Sequence, residues 1–391
     1  MQPREMPFSE LLSAVIDNRG RTCPIATGGV KLIATNCISN EMLYPRYEKV
    51  RYVSQETYDN WFRGHPRPGD LIFVCKGSPG RVAIAPNPVD FCIAQDMVAV
   101  RADRSKIHPL YLFAALRSSV VQKRIQSLQV GTMIPHFKKG DFGKLNIPVP
   151  DRESQAGIGS FYYAMSSKIA VNERIAARAD ELSAELFQQA VLKSPDQFTE
   201  QALSDVADFI NGRAFTKGAT GTGRMVVRIA EINSGPGSST VYNDIDVPEE
   251  HLVRPGDVLF AWSGSLTVSR WFRPEAIINQ HIFKCVPRNG LPQWLVSQLV
   301  YRKIDEFRAI AADKATTMGH IQRKDLDEPV LVPTPEAFSS FGARMSSLWT
   351  RALLAEQESL TLATLRDTIL PRLMSGRLRV RDAEKIVEDH V

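Results

Sequence analysis

Two histidines stand at matching places in the chain. His136 lies in GTMIPHFKKGDF (131–142) and His320 in TTMGHIQRKDL (316–326), each preceded by Thr-Met and followed by basic residues. A histidine can ligate a metal, move a proton or offer a ring and a donor to a partner. The remaining histidines are scattered, so a metal pair within either half is ruled out. What recurs is hydroxyl, imidazole and cation side by side. Part of the pattern has a structural reading, with the Thr capping a turn and the Met entering the core.

Motifs for bond-making chemistry are missing. Phosphate hydrolysis would call for GxxxxGK[ST], and no match exists. The stretch GATGTGR (218–224) lacks GxGxxG spacing and reads as a surface loop whose Arg224 can touch phosphate. There is no HExxH, no GxSxG and no Asn-Pro-Pro-Tyr-type acceptor motif of amino-methyltransferases. The chain reads as a non-catalytic polypeptide.

Composition fits that reading. With 391 residues there is length for two to four compact units, and apolar and charged contents are ordinary for a globular protein. Net charge is +5, a mild lean toward an anionic partner. Cys23, Cys37, Cys75, Cys92 and Cys285 form no CxxC pair and read as thiols in a reducing cytosol. No stretch approaches the ~18 apolar residues of a membrane span, so an intracellular protein is expected.

The elements that position the recurring residues recur as well. GDLIFV (69–74) returns as GDVLFA (256–261), and MSSK (165–168) as MSSL (345–348), in unbroken order. IFVCK (72–76), VAIA (82–85) and MVAV (97–100) read as buried strands, matched by VVRIAEI (226–232), VLFAW (258–262) and IFKCV (282–286). Pro announces a helix in HPLYLFAALRS (108–118) and in LPQWLVSQLVYR (291–302). NIPVP (146–150) and VLVPTP (330–335) read as Pro-flanked strands. No Pro interrupts 151–193, and Thr334–Pro335 makes an N-cap and N1 pair for a second long helix, kinked near its end by Pro371. Apolar residues at three-four spacing suggest that the two helices pack together, antiparallel or nearly so. Gly157, Gly159 and Gly342 should weaken them. About 40 residues make a rod of roughly 60 Å.

These texts resemble the specificity subunit of type I restriction-modification systems. The passages PRPGDLIFVCKGSPGRVAIAP (66–86) and RPGDVLFAWSGSL (254–266), both TM…H elements and the ending LRDTILPRLMSGRLRV (365–380) carry the likeness, which spans residues 10 to 380. The resemblance implies an α+β fold in which two α/β target recognition domains (1–150 and 196–334) alternate with two long conserved helices (151–195 and 335–391, the latter with the C-terminal tail). The helices pack together as a coiled-coil-like spacer. It also implies that each recognition domain reads one half of a bipartite sequence in double-stranded DNA. The helices would set the gap and dock two modification subunits that bind S-adenosylmethionine and methylate adenine. A translocating restriction subunit is a further partner the resemblance allows. This chain would hold no cofactor or metal and would work in the prokaryotic cytoplasm.

A DNA reader needs cations and backbone amides for phosphates, and Arg, Lys, Asn, Gln, Ser or Thr for base edges. Loops where these gather beside Gly are the expected contacts. In the first half they are Arg19, Arg21, Lys76, Ser78, Arg81, Thr132, His136, Lys138 and Lys139. In the second they are Arg213, Lys217, Arg224, Ser263, Ser265, Arg270, Thr316, Thr317, His320, Gln322, Arg323 and Lys324. The frame is shared and the loop text differs, KGSPGR against SGSLTV, so the halves are expected to read different sequences.

Overall fold

Runs such as Leu71–Val74 and Val258–Ala261 are apolar at every position, and such runs settle where both faces of a strand are covered. The computed structural model describes residues 3–18, 20, 22–131, 133–313 and 319–390. Two compact units emerge, one of residues 1–171 with 358–391, the other of 172–357. The division falls inside both long helices.

In the first unit the strands are β1 (Arg4–Pro7), β2 (Leu12–Ile16), β3 (Val30–Ile33), β4 (Arg51–Val53), β5 (Leu71–Val74), β6 (Val82–Ile84), β7 (Phe91–Ile93), β8 (Met97–Ala102) and β9 (Asn146–Val149). They form three sheets, ordered β2-β8-β5-β6, β4-β3-β7 and β1-β9. Helices α1 (Gln55–Asn60), α2 (Pro109–Arg117) and α3 (Ser119–Ser127) lie among them, followed by the long α4 (Arg152–Lys193).

The second unit repeats the plan. Its strands are β10 (Phe198–Ala202), β11 (Ala207–Asn211), β12 (Arg224–Val227), β13 (Val241–Asn243), β14 (Leu252–Val253), β15 (Val258–Ala261), β16 (Thr267–Arg270), β17 (Ala276–Ile278), β18 (Ile282–Pro287) and β19 (Pro329–Pro333), with helices α5 (Leu203–Val206), α6 (Ile229–Ser234) and α7 (Gln293–Asp313). The sheets run β11-β18-β15-β16, β13-β12-β17-β14 and β10-β19. A parallel pairing of strands recurs too, β3 with β7 and β12 with β17. The chain closes with α8 (Pro335–Met374) and α9 (Val380–Glu388).

The stretch 226–232 departs from expectation. It is a strand only to Val227, and α6 follows, because the Glu231 carboxylate accepts from the Arg228 backbone N–H at 3.0 Å and from its guanidinium, starting a helix. Helix α8 begins as expected: the Thr334 hydroxyl accepts from the Ala337 N–H at 3.4 Å, and Pro335 opens the first turn. Pro371 lies inside α8, which continues to Met374.

The long helices run antiparallel in each unit. In the first, Ile158, Phe161, Met165 and Ile169 of α4 share a core with Leu362, Ile369, Leu370 and Leu373 of α8. In the second, Ala176 and Ala179 pack with Ala352, and Phe187 meets Phe341 with ring centroids 6.1 Å apart. The small residues mid-helix are buried, which lets the backbones approach closely. The same helix faces complete the cores beneath β5, β6 and β8 in the first unit and beneath β11, β15 and β18 in the second.

Candidate nucleic-acid interface

At one end of the sheets β2-β8-β5-β6 and β11-β18-β15-β16, three segments distant in sequence are bonded into one platform. The first is the turn after β5 or β15. Gly77 and Gly264 occupy it at φ 85° and 67°, left-handed backbone that glycine adopts without penalty. The second is the TM…H arm. The Gly77 N–H donates to the Pro135 carbonyl at 2.9 Å, and the Phe137 N–H to Cys75 at 2.8 Å. In the second unit the Gly264 N–H donates to Gly319 at 2.9 Å, and the Ile321 N–H to Trp262 at 3.2 Å. The two pairs occupy matching positions. Lys76 thereby lies in a bridge with His136, and Ser263 with His320.

The third segment was not anticipated from the residue types. Asp96 and His281, just before β8 and β18, both take left-handed backbone, at φ 62° and 72°. For residues with a Cβ this costs on the order of 1 kcal/mol or more, and such outliers gather at functional sites. The Asp96 carbonyl accepts from the N–H groups of Cys75 and Lys76 at 2.7 and 3.1 Å, and the His281 carbonyl from Trp262 at 3.1 Å. Lys76 Nζ lies 3.9 Å from the Asp96 carboxylate, whereas the Trp262 ring centroid stands 5.1 Å from that of His281 and 6.4 Å from that of His320. The frame is constant, but one platform presents an ion pair and the other an aromatic cluster. The signal was present in the sequence as AQDMV (94–98) against NQHIF (279–283).

Most of the expected contact residues gather here. Arg81, Lys138 and Lys139 are exposed, with Lys76, Ser78 and His136 half-buried behind them. Lys139 stands 3.7 Å from Asp17. In the second unit Ser265, His320, Gln322, Arg323 and Lys324 are exposed and Ser263 half-buried. Arg213 joins them, because its carbonyl accepts from the Gln280 N–H at 3.0 Å beside His281. Arg213 lines one concavity of about 840 Å³ with Arg323 and Lys324, which lie over a hundred residues further along the chain, together with Arg288 and Asp208. His251 forms its wall, and burial pushes this imidazole below its ordinary pKa, so the wall is neutral near pH 7.

Other expected contacts are placed differently. Arg270 is a correction. It ends β16 with its side chain 4% exposed, bonded to Glu356 at 2.8 and 3.0 Å and to Asp180 at 3.1 and 3.2 Å, over the ring of Trp349. Asp180 belongs to α4, and Glu356 and Trp349 to α8, so Arg270 ties the hairpin to both helices instead of reaching outward. Burial pushes the Glu356 carboxyl above the usual range even with Arg270 against it. Arg224 lies on β12, away from the platform, and donates to Glu275 at 2.8 Å. Lys217 is exposed in the loop before it. Met133, which the structural reading of the motif puts in the core, is 95% exposed. Arg19, Arg21, Thr132, Thr316 and Thr317 lie outside the described residues. All five cysteines are buried and outside any disulfide, and among the described residues no helix is long and apolar enough to cross a membrane.

The chain is thus a twofold-repeated α+β protein with a cation-rich platform on each copy. Residues 23–180 match the family model described as the type I restriction modification DNA specificity domain. The chain is similar to the type I restriction enzyme EcoBI specificity subunit of Escherichia coli, 25% identical over 222 residues. That match takes in 53% of this chain and 45% of the relative, so it spans less than half the length of that protein. The crystal structure of a type I restriction-modification system S subunit from M. genitalium has the same fold, with a TM-score of 0.56 at 15% identity, covering 95% of this chain and 99% of that one. The resemblance to type I specificity subunits drawn from the sequence motifs is thereby shown.

Proposed function

We propose that this chain is the DNA-reading component of a type I restriction-modification complex and that each platform reads one half of a bipartite target. The observation that carries this reading is one backbone frame built twice with different side chains on it. Lys76, His136 and Asp96 in one copy answer to Ser263, His320 and His281 in the other. A protein that needed one catalytic pocket would have no use for two unlike platforms. Lys138, Lys139, Arg213, Arg323 and Lys324 would neutralise phosphates, and Ser78, Arg81, Ser263, Ser265 and Gln322 would approach base edges. Arg270 is left out of this set. The long helices would set the gap between the half-sites and dock two modification subunits carrying S-adenosylmethionine for adenine methylation. This chain would contribute recognition, with no cofactor of its own and no catalytic step, in a prokaryotic cytoplasm.

Selection from a pool of randomised duplexes by the purified full chain tests the reading. Two short conserved blocks separated by a fixed number of indifferent positions are expected. Enrichment of a single uninterrupted block, or of nothing, would sink it.

A further inference from the structure

The first platform carries a feature that phosphate contact and hydrogen-bonded base reading leave unexplained. Val130, Met133 and Ile134 are 45%, 95% and 56% exposed, and among the described residues no other short segment exposes three large apolar side chains together. A monomeric surface rarely groups such residues without an interaction to make. The loop that bears them is held open. Val130 and His136 exchange two backbone hydrogen bonds of 2.9 Å, closing the loop between them. Pro135 is tied to Gly77, and Phe137, two residues on, is fully buried against Phe142 and Phe73. With its base locked in the core, the tip cannot fold its apolar side chains inward.

The surroundings specify what the tip meets. Lys138 and Lys139 follow it and Lys76 and Arg81 stand on the neighbouring turn; Asp96 lies 3.9 Å from Lys76 and Asp17 3.7 Å from Lys139, so cations still outnumber the carboxylates beside them. An apolar point in a cationic collar complements a polyanion with an apolar interior, which is the base stack of DNA behind its phosphates. We infer that Met133 and Ile134 form a wedge that enters between neighbouring base pairs of the half-site read by the first unit, partly unstacking them while the collar holds the flanking phosphates. The unbranched, polarisable Met side chain suits insertion against bases of varied shape. Reading by this half would then depend on how easily a base step opens, in addition to its hydrogen-bonding edges.

This inference rests on the DNA-reading function proposed above, and the test separates the two. The probe is the duplex selected by the full chain, with 2-aminopurine placed in turn at each position of both half-sites. The parent chain should raise 2-aminopurine fluorescence at one step of one half-site only. Met133→Ala with Ile134→Ala should abolish that rise and cut the preference for the selected over a scrambled duplex by about tenfold, with the salt dependence unchanged. Met133→Leu with Ile134→Leu should restore both. A selective parent with no fluorescence rise, or an alanine variant that keeps rise and preference, overturns the wedge and leaves DNA reading standing, with the tip then a protein contact. A parent that selects no duplex overturns both.

Discussion

At the scale of single residues, charge alone does not identify a contact; what else the side chain touches does. Arg270 and Arg323 look equally available in sequence, yet Arg270 is enclosed by Asp180, Glu356 and Trp349 while Arg323 is exposed on the rim of a concavity. Lys138, Lys139, Arg323 and Lys324 are exposed on their platforms, and each phosphate neutralised on duplex DNA contributes about −0.9 to the slope of log affinity against log salt. Changing all four to Gln should weaken binding to every duplex and flatten that slope by about 2–4, the lower figure because Lys139 is already close to Asp17 at 3.7 Å and Arg323 and Lys324 share one concavity. Titrations of the full chain at several salt concentrations measure it. An unchanged slope would remove these four residues from the phosphate contacts. The same scale shows why part of the site was illegible. Asp96 and His281 are ordinary residue types whose importance lies in a left-handed φ, and Arg270's partners lie on helices some ninety residues away in either direction.

At the scale of elements, the sequence was most readable where one pattern dominates. The runs LIFV and VLFA became buried strands, the Thr334–Pro335 pair started α8, and the repeated TM…H text marked two arms that dock at matching places. It misled where two signals compete. In VVRIAEI the apolar residues favour a strand, and only the Arg228–Glu231 bonds show that a helix begins at Ile229. Gly159 is the sharpest instance. Propensity marks it as a weak point in α4, but a Cβ there would lie 2.5 Å from the Tyr111 nitrogen and 2.8 Å from the Leu110 carbonyl carbon, so the glycine lets α4 lie directly on the start of α2. Gly159→Ala should therefore lower stability by about 1–3 kcal/mol, the displacement of α2 outweighing the ~1 kcal/mol that Ala gains in a free helix. Urea unfolding of the full chain provides the measurement. A midpoint shifted upward would show that propensity, and not backbone approach, governs this position.

At the scale of the whole molecule, the duplication separates support from text. The core of the first unit runs from Phe8 through Ile147 into Ile158, Phe161 and Met165 of α4 and Leu362, Ile369 and Leu373 of α8. Cutting at residue 150 to exchange residues 1–150 whole would ask a foreign sheet to fit this helix face, where an added methyl at Gly159 already clashes. The platform segments are separable in a way the domain is not, since Gly77–Arg81, Gln95–Asp96 and Met133–Lys139 present side chains outward from backbone bonds that the second unit forms with different residues. Replacing those three segments with the matching text of a family relative of different specificity should leave the unfolding midpoint within about 1 kcal/mol of the parent, because Phe137 is the one fully buried large residue among them and is kept. Selection from randomised duplexes should then return a target altered in one half, with the other half and the gap between them as in the parent. If both halves changed, the two platforms would be reading as one surface; if neither changed, the bases would be met somewhere other than these turns. A one-sided change is the outcome that a twice-built frame with independent side chains requires.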